Sequence, residues 1–317
     1  MNIKIGIQIE PQFGFDYKTI EKIAIDAEKI GYYSLWSSDH FFLHDKSENL
    51  NCLDAWTLLS ALAAVTKKLR LGVLVTCNSY RYPAILAKIA STIDMISEER
   101  LEFGIGAGWK EIEYKAYGIP FGTWKDRMDS LEEAIQIIKL LWIKPKASFE
   151  GKIHKIKDAF SSPKPVQLPM PPIFIGGTGK KRILNMVAKY ADYCNFGWFT
   201  NPDEIQKLLD ILEDHCKKEN RNFDEIGKSF FAYVIMAETE DKLEQNLKNQ
   251  AEKRSLTLDE YKKRFSDGVF IGTPEKVQER FQNLIDMGFD YFQCMFPYGN
   301  DYEASQEFGK LILPKLS

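Results

Sequence analysis

Histidine and cysteine are scarce and scattered in this chain. Its four histidines include no His-x-His, and its five cysteines (Cys52, Cys77, Cys194, Cys216, Cys294) include no CxxC pair. No metal site is therefore expected, and no disulfide frame; the thiols read as reduced. Charge of one sign is lacking too. The net charge of -3 provides no field for nucleic acid or anionic lipid. No apolar run approaches the roughly 20 residues needed to cross a bilayer. The N-terminal stretch alternates like a strand and has no signal-peptide core, so the expected location is the cytoplasm. Two fingerprints are also missing. GxSxG is absent, and the first predicted strand ends in Ile9-Glu10-Pro11-Gln12, without the GxGxxG of a dinucleotide site.

What is there is a regular alternation. Ile3 to Ile9 reads as a strand. Tyr17 to Ile30 then reads as a helix, with Ile20, Ile23, Ala24 and Ala27 on one face and Gly31 as its stop. Further strands are predicted at Tyr33–Trp36, Leu69–Val75, Arg100–Ile105, Ile173–Ile175, Asp192–Phe196, Ser229–Met236 and Phe289–Phe296, with helical stretches between them. About eight strand–helix units in 317 residues, with no linker dividing them, predict a single (β/α)8 TIM barrel. One stretch breaks the pattern. Residues 145–172 are proline-rich and contain a hairpin-like Ser148–His154. They read as an insertion between helix 4 and strand 5, placed near the active-site mouth.

The chemistry-bearing residues gather just after the strands. Leu35-Trp36-Ser37-Ser38-Asp39-His40-Phe41 is an apolar run that stops at a carboxylate and an imidazole. In parallel α/β folds ligands bind at that end, so His40 is the first candidate for proton chemistry. Thr76 and Cys77 follow strand three, and Gly106, Ala107, Gly108 and Trp109 follow strand four. Gly176, Gly177 and Thr178 follow strand five. Glycines at Gly104, Gly106 and Gly108 would let backbone approach a flat ring. Gly176 and Gly177, read as lying directly before a helix, would offer free N–H groups to a phosphate. Trp36, Trp109, Trp124 and Trp198 would supply flat surfaces near the rim. Cys77 lacks any nearby group in sequence that would activate it.

These stretches resemble the bacterial-luciferase-like flavin and deazaflavin oxidoreductases. The resemblance rests on Trp36–Phe41, Asp54-Ala55-Trp56-Thr57-Leu58-Leu59, Leu71-Gly72 through Arg81-Tyr82-Pro83, Arg100 through Trp109, Pro163–Gln167, Pro172–Gly177 and Gly272-Thr273-Pro274-Glu275. Asp39-His40 is most similar to the coenzyme F420 branch. That resemblance implies hydride transfer between F420 and a small organic substrate. Asp39 would contact the ring, and His40 would act as acid or base. It also implies a cis non-proline peptide at Leu74–Val75 behind the ring, and a phosphate held by Gly176, Gly177 and Thr178. The cofactor wall would thus comprise Asp39, Leu74, Val75, Thr76, Gly106, Ala107, Gly108, Trp109, Gly176, Gly177 and Thr178. A homodimer is expected from the resemblance alone. The chain departs from the sugar-phosphate dehydrogenases of that branch, which carry a proton-donating glutamate where this chain has Trp109. Their substrate lysines are also not evident. A second acid would then come from Glu10, Glu111 or Glu113. The alternatives are an FMN-dependent monooxygenase working with O2, and a flavin-binding barrel without catalysis.

Overall fold

The computed structural model describes residues 2–198, 201–265, 269–299 and 301–316. Eight parallel strands close on themselves: β1 Lys4–Ile9, β2 Ser34–Ser37, β3 Arg70–Cys77, β4 Leu101–Gly106, β5 Ile173–Gly176, β6 Tyr193–Gly197, β7 Gly227–Met236 and β8 Tyr291–Met295. Each pairs with the next, and β8 returns to β1 in register Lys4↔Tyr291. This is the TIM barrel, with helices packed around it.

Local chemistry explains the outer ring. The helix Tyr17–Ile30 is capped by Asp16, whose carboxylate accepts from Thr19 N at 2.7 Å, and it stops at Gly31 at φ 101°. Asp54 caps Ala55–Val65 in the same way. At the other end of that helix the buried Arg100 donates to the carbonyls of Ala63 and Thr66. A guanidinium there satisfies acceptors that a helix end leaves unpaired. Pro83 and Pro202 open their helices, and Asn201 caps the second.

Two apolar layers result. The larger lies between strands and helices. The smaller runs from the barrel interior, where Trp36, Phe174, Tyr193 and Tyr291 meet edge to face or stacked, out to the helices Glu240–Glu252 and Leu258–Arg264. The Trp36 ring lies directly over the Gly72 backbone, where a Cβ would collide with it. Below this layer, at the N-terminal end, Arg70 is paired with the buried Glu102, and Lys4 donates to the Tyr193 hydroxyl at 2.5 Å.

The structure departs from the predicted pattern twice. A ninth strand, Val269–Gly272, pairs with Tyr233–Met236 at the C-terminal end of β7, while β8 pairs with Ser229–Tyr233 of the same strand. The ten-residue β7 is long enough to pair with β6 and β8 along its first part and with the ninth strand at its end. The insertion forms a hairpin, Ala147–Glu150 with Lys155–Ala159, but it packs along the outside of the helix Trp124–Ile143. Glu133 of that helix accepts the N–H groups of Lys152, Ile153 and His154, and Ser130 meets His154 Nε2 at 2.9 Å. Residues 145–172, expected by the mouth, contribute no side chain to the cavity described below.

Candidate active site

A cavity of about 710 Å³ opens at the C-terminal rim. Its wall includes Glu10, Asp39, His40, Leu74, Val75, Gly106, Ala107, Gly108, Trp109, Gly176, Gly177 and Thr178. Thr76 alone of the sequence-predicted wall residues is not on it; it is fully buried beneath. The cavity therefore brings together His40 and both glycine turns.

The Leu74–Val75 peptide is cis, and the pairing of β3 with β4 shifts register between Val73 and Thr76. This carries Val75 into the space above two glycines. A Cβ on Gly106 would lie 2.7 Å from Val75 Cγ2, and one on Gly176 would lie 2.9 Å from Val75 Cγ1. The room expected to admit a flat ring at Gly106 is thus taken by Val75, and its isopropyl group becomes the surface of the wall. Gly177 also differs from expectation. The helix begins only at Ile183, and the Gly177 N–H is already committed to Asn195 O at 3.2 Å.

Asp39 is an anchor. Its carboxylate takes two hydrogen bonds from Arg81 Nη1, at 3.0 and 2.8 Å, and one from Cys77 N at 3.0 Å. Arg81 continues to Asp54, the helix cap. Burial pushes the Asp39 pKa up, against the opposing pull of Arg81. Cys77 is pushed up to about 12 by burial and touches the Tyr114 hydroxyl at 3.0 Å, so no reactive thiolate forms there.

His40 is 19% exposed and lies edge-on to Trp109, with ring centres 5.9 Å apart. Its Nδ1 is 2.9 Å from Oε2 of Glu113, leaving Nε2 as the nitrogen open to the cavity. Among the candidates for a second acid, Glu111 pairs outward with Lys115. Glu10 stands on the cavity wall, held by the amides of Gln8 and Gln12. Glu113 lies behind His40 and does not line the cavity. Burial alone would raise its pKa, but His40, Tyr80 and the Phe41 N–H hold it down to about 2. The loop carrying His40 is clamped further along, where the Phe41 ring stacks between Tyr80 and Tyr117 at 4.2 and 4.0 Å.

Sequence reasoning assigned no role to Tyr80, Lys110, Gln12 or Phe231, all on the cavity wall. Arg81 was part of a matching stretch without a role; an aspartate buried at a strand end needs a cation, and that was the available signal.

A closed parallel barrel with one broad cavity at its C-terminal rim defines a ligand-binding barrel of enzyme type. The chain belongs to the luciferase-like monooxygenase family, whose model matches residues 3–291. Mycobacterial proteins of uncharacterized activity, from Mycobacterium tuberculosis and Mycobacterium bovis, are 33% identical over 167 residues; the match spans 52% of this chain and 56% of theirs. Over nearly the whole length, the chain is 26% identical to an FMNH2-dependent dimethylsulfone monooxygenase of Pseudomonas putida, covering 97% of this chain and 90% of the relative. It is 24% identical to an F420-dependent glucose-6-phosphate dehydrogenase of Amycolatopsis mediterranei, covering 99% and 98%. In fold it matches an F420-dependent secondary alcohol dehydrogenase solved with an F420–acetone adduct. The TM-score is 0.85 and the identity 21%, with both chains fully covered.

Proposed function

We propose that this chain is an F420-dependent oxidoreductase that moves a hydride between the deazaflavin and a small organic substrate. One observation carries the reading: His40 and the Val75 shelf share one cavity, with Nε2 the only ring nitrogen of His40 left open. The wall fits a planar ring on its own geometry. Leu74 and Val75 form an apolar shelf, Gly106 and Gly176 let Val75 sit deep, and about 710 Å³ is in the range of cofactor sites. Leu74, Val75, Gly106, Ala107, Gly108 and Trp109 would hold the ring, and Gly176 and Thr178 would border its phosphate end, the Gly177 N–H being held by Asn195. When bound, the deazaflavin supplies a carbon that accepts or returns a hydride. His40 Nε2 accepts the proton of a substrate hydroxyl in one direction and returns it to the carbonyl oxygen in the other. Asp39 fixes the rim through Arg81 and the Cys77 N–H.

A second reading, an FMN-dependent monooxygenase, is favoured by Trp109. It is 72% exposed on the rim, where the dehydrogenase resemblance calls for a proton-donating glutamate. Titration of the protein with F420 and with FMN, followed by quenching of tryptophan emission, separates the two. We expect tighter binding of F420, and a His40→Asn variant that still binds it but turns over secondary alcohols at least about 10²-fold more slowly. Preference for FMN with substrate-dependent O2 uptake would move the assignment to the monooxygenase. The expected homodimer is supported by the exposed Ile85, Met95 and Ile96 on the helix Pro83–Ser97; a monomer by sedimentation excludes it.

A further inference from the structure

We propose that Glu113 is a positioning residue that dictates the tautomer of His40, and with it which nitrogen serves the cavity. The Glu113 side chain has no exposed surface and is surrounded by donors. Oε1 accepts from the N–H groups of Phe41 at 2.8 Å and Phe42 at 3.2 Å, and from the Lys110 ammonium at 3.2 Å. Oε2 accepts from the Tyr80 hydroxyl at 2.6 Å and faces His40 Nδ1 at 2.9 Å. So many donors, one of them cationic, hold the group as a carboxylate, in keeping with its depressed pKa. A carboxylate has no proton to give, so the hydrogen in the contact belongs to His40 Nδ1. Neutral His40 then carries its lone pair on Nε2, the reverse of the tautomer favoured by free histidine in water. When Nε2 takes up a proton, the same carboxylate stands against the imidazolium. The arrangement has the logic of the carboxylate that orients histidine in a hydrolase triad. Lys110 keeps the buried cluster balanced, and its ammonium is tied down by Phe42 O.

The geometry also predicts what an isosteric amide would do. In Glu113→Gln, three donors still converge on the Oε1 position, so the amide oxygen must sit there. The NH2 group then points at His40 Nδ1, which is forced to accept. The proton moves to Nε2, and the nitrogen facing the cavity loses its lone pair.

The inference rests on the proposed function only for its consequence in catalysis; the tautomer itself is read without cofactor or substrate. Full-length protein labelled with 15N-histidine gives four imidazoles, and the His40→Asn variant identifies the one wanted. At a pH where His40 is neutral, we expect protonated Nδ1 and bare Nε2 in the native protein. In Glu113→Gln we expect the two signals exchanged, with His44, His154 and His215 unchanged as proof of the fold. A native spectrum with the proton on Nε2 overturns the proposal, even should the variant fail to fold. An unchanged His40 tautomer in a folded Glu113→Gln protein overturns it as well. With F420 and a secondary alcohol, the exchange should lower kcat about 10²- to 10⁴-fold with little change in KM. Exchanged signals in a protein that binds neither F420 nor FMN would sustain the positioning role and remove the redox reading alone.

Discussion

At the scale of single residues, the rim is a set of buried charges, each matched to a specific partner. Asp39 and Arg81 show why this matters. The Asp39 side chain is 1% exposed and that of Arg81 12%, so neither ion has water to fall back on. Replacing Arg81 with Leu leaves a carboxylate buried without its cation, a change worth about 3–5 kcal/mol. The loss should depend on pH. The folded Asp39 pKa is already above the ordinary 3.8 because of burial, and Arg81 is what opposes that rise. A raised carboxylate pKa means stability that is present at low pH and lost as pH climbs through the folded value. Without Arg81 that window moves up towards neutrality. Asp54 acts in the same sense, since its pKa lies below 3.8 through Arg81, despite burial, and the native protein loses that support in acid. The gap in melting temperature between native and Arg81→Leu protein should therefore be wider at pH 7 than at pH 5. A gap independent of pH would mean that Asp39 finds another partner.

Among the secondary-structure elements, the sequence was most legible where a local rule decides the outcome. The predicted Tyr17–Ile30 helix matches the observed bounds because the Asp16 cap, the Gly31 stop and the apolar spacing each act within one turn. The strand Val269–Gly272 was not read, because its apolar run leads straight into Pro274 and its partner is the distant C-terminal end of β7. The hairpin was visible as Phe149-Glu150-Gly151-Lys152, but its location was not. What places it is Glu133, about twenty residues upstream, whose carboxylate collects three consecutive N–H groups at 2.7 to 3.0 Å. Burial would raise the Glu133 pKa, and these bonds outweigh it. Glu133→Ala should therefore release the hairpin tip. Hydrogen exchange at Lys152, Ile153 and His154 should rise at least about tenfold, since loss of charged hydrogen bonds is worth roughly 1.5–3 kcal/mol each. Cofactor affinity should hold, because the hairpin supplies no cavity wall; a fall in affinity would tie the insertion to the site after all. The site itself was legible in the same uneven way. His40 and the glycine turns lie beside strand ends and could be found by position. The tie from His40 to Glu113 joins residues 73 apart, and only the folded barrel brings them into contact.

Across the whole molecule, the barrel interior is graded from one end to the other. Arg70, Glu102 and Lys4 close the N-terminal end, an aromatic layer fills the middle, and the cavity occupies the top. The middle layer is what allows a cavity above it, since a barrel of this size is otherwise filled by its own side chains. Trp36 is the largest member of that layer. It is fully buried, its Nε1–H donates to Ser34 Oγ at 2.8 Å, and its ring lies 4.9 Å from Phe174 and 5.9 Å from Tyr291. The strands around it are tied on both sides by ladder hydrogen bonds, so they cannot close over a missing indole. Trp36→Ala should therefore lose about 3–5 kcal/mol in urea unfolding, and Trp36→Phe roughly half of that. Because Trp36 does not line the cavity, both variants should bind cofactor with nearly native affinity while folded. The opposite pattern, intact stability with weakened binding, would mean that the cavity floor lies one layer deeper than its walls indicate.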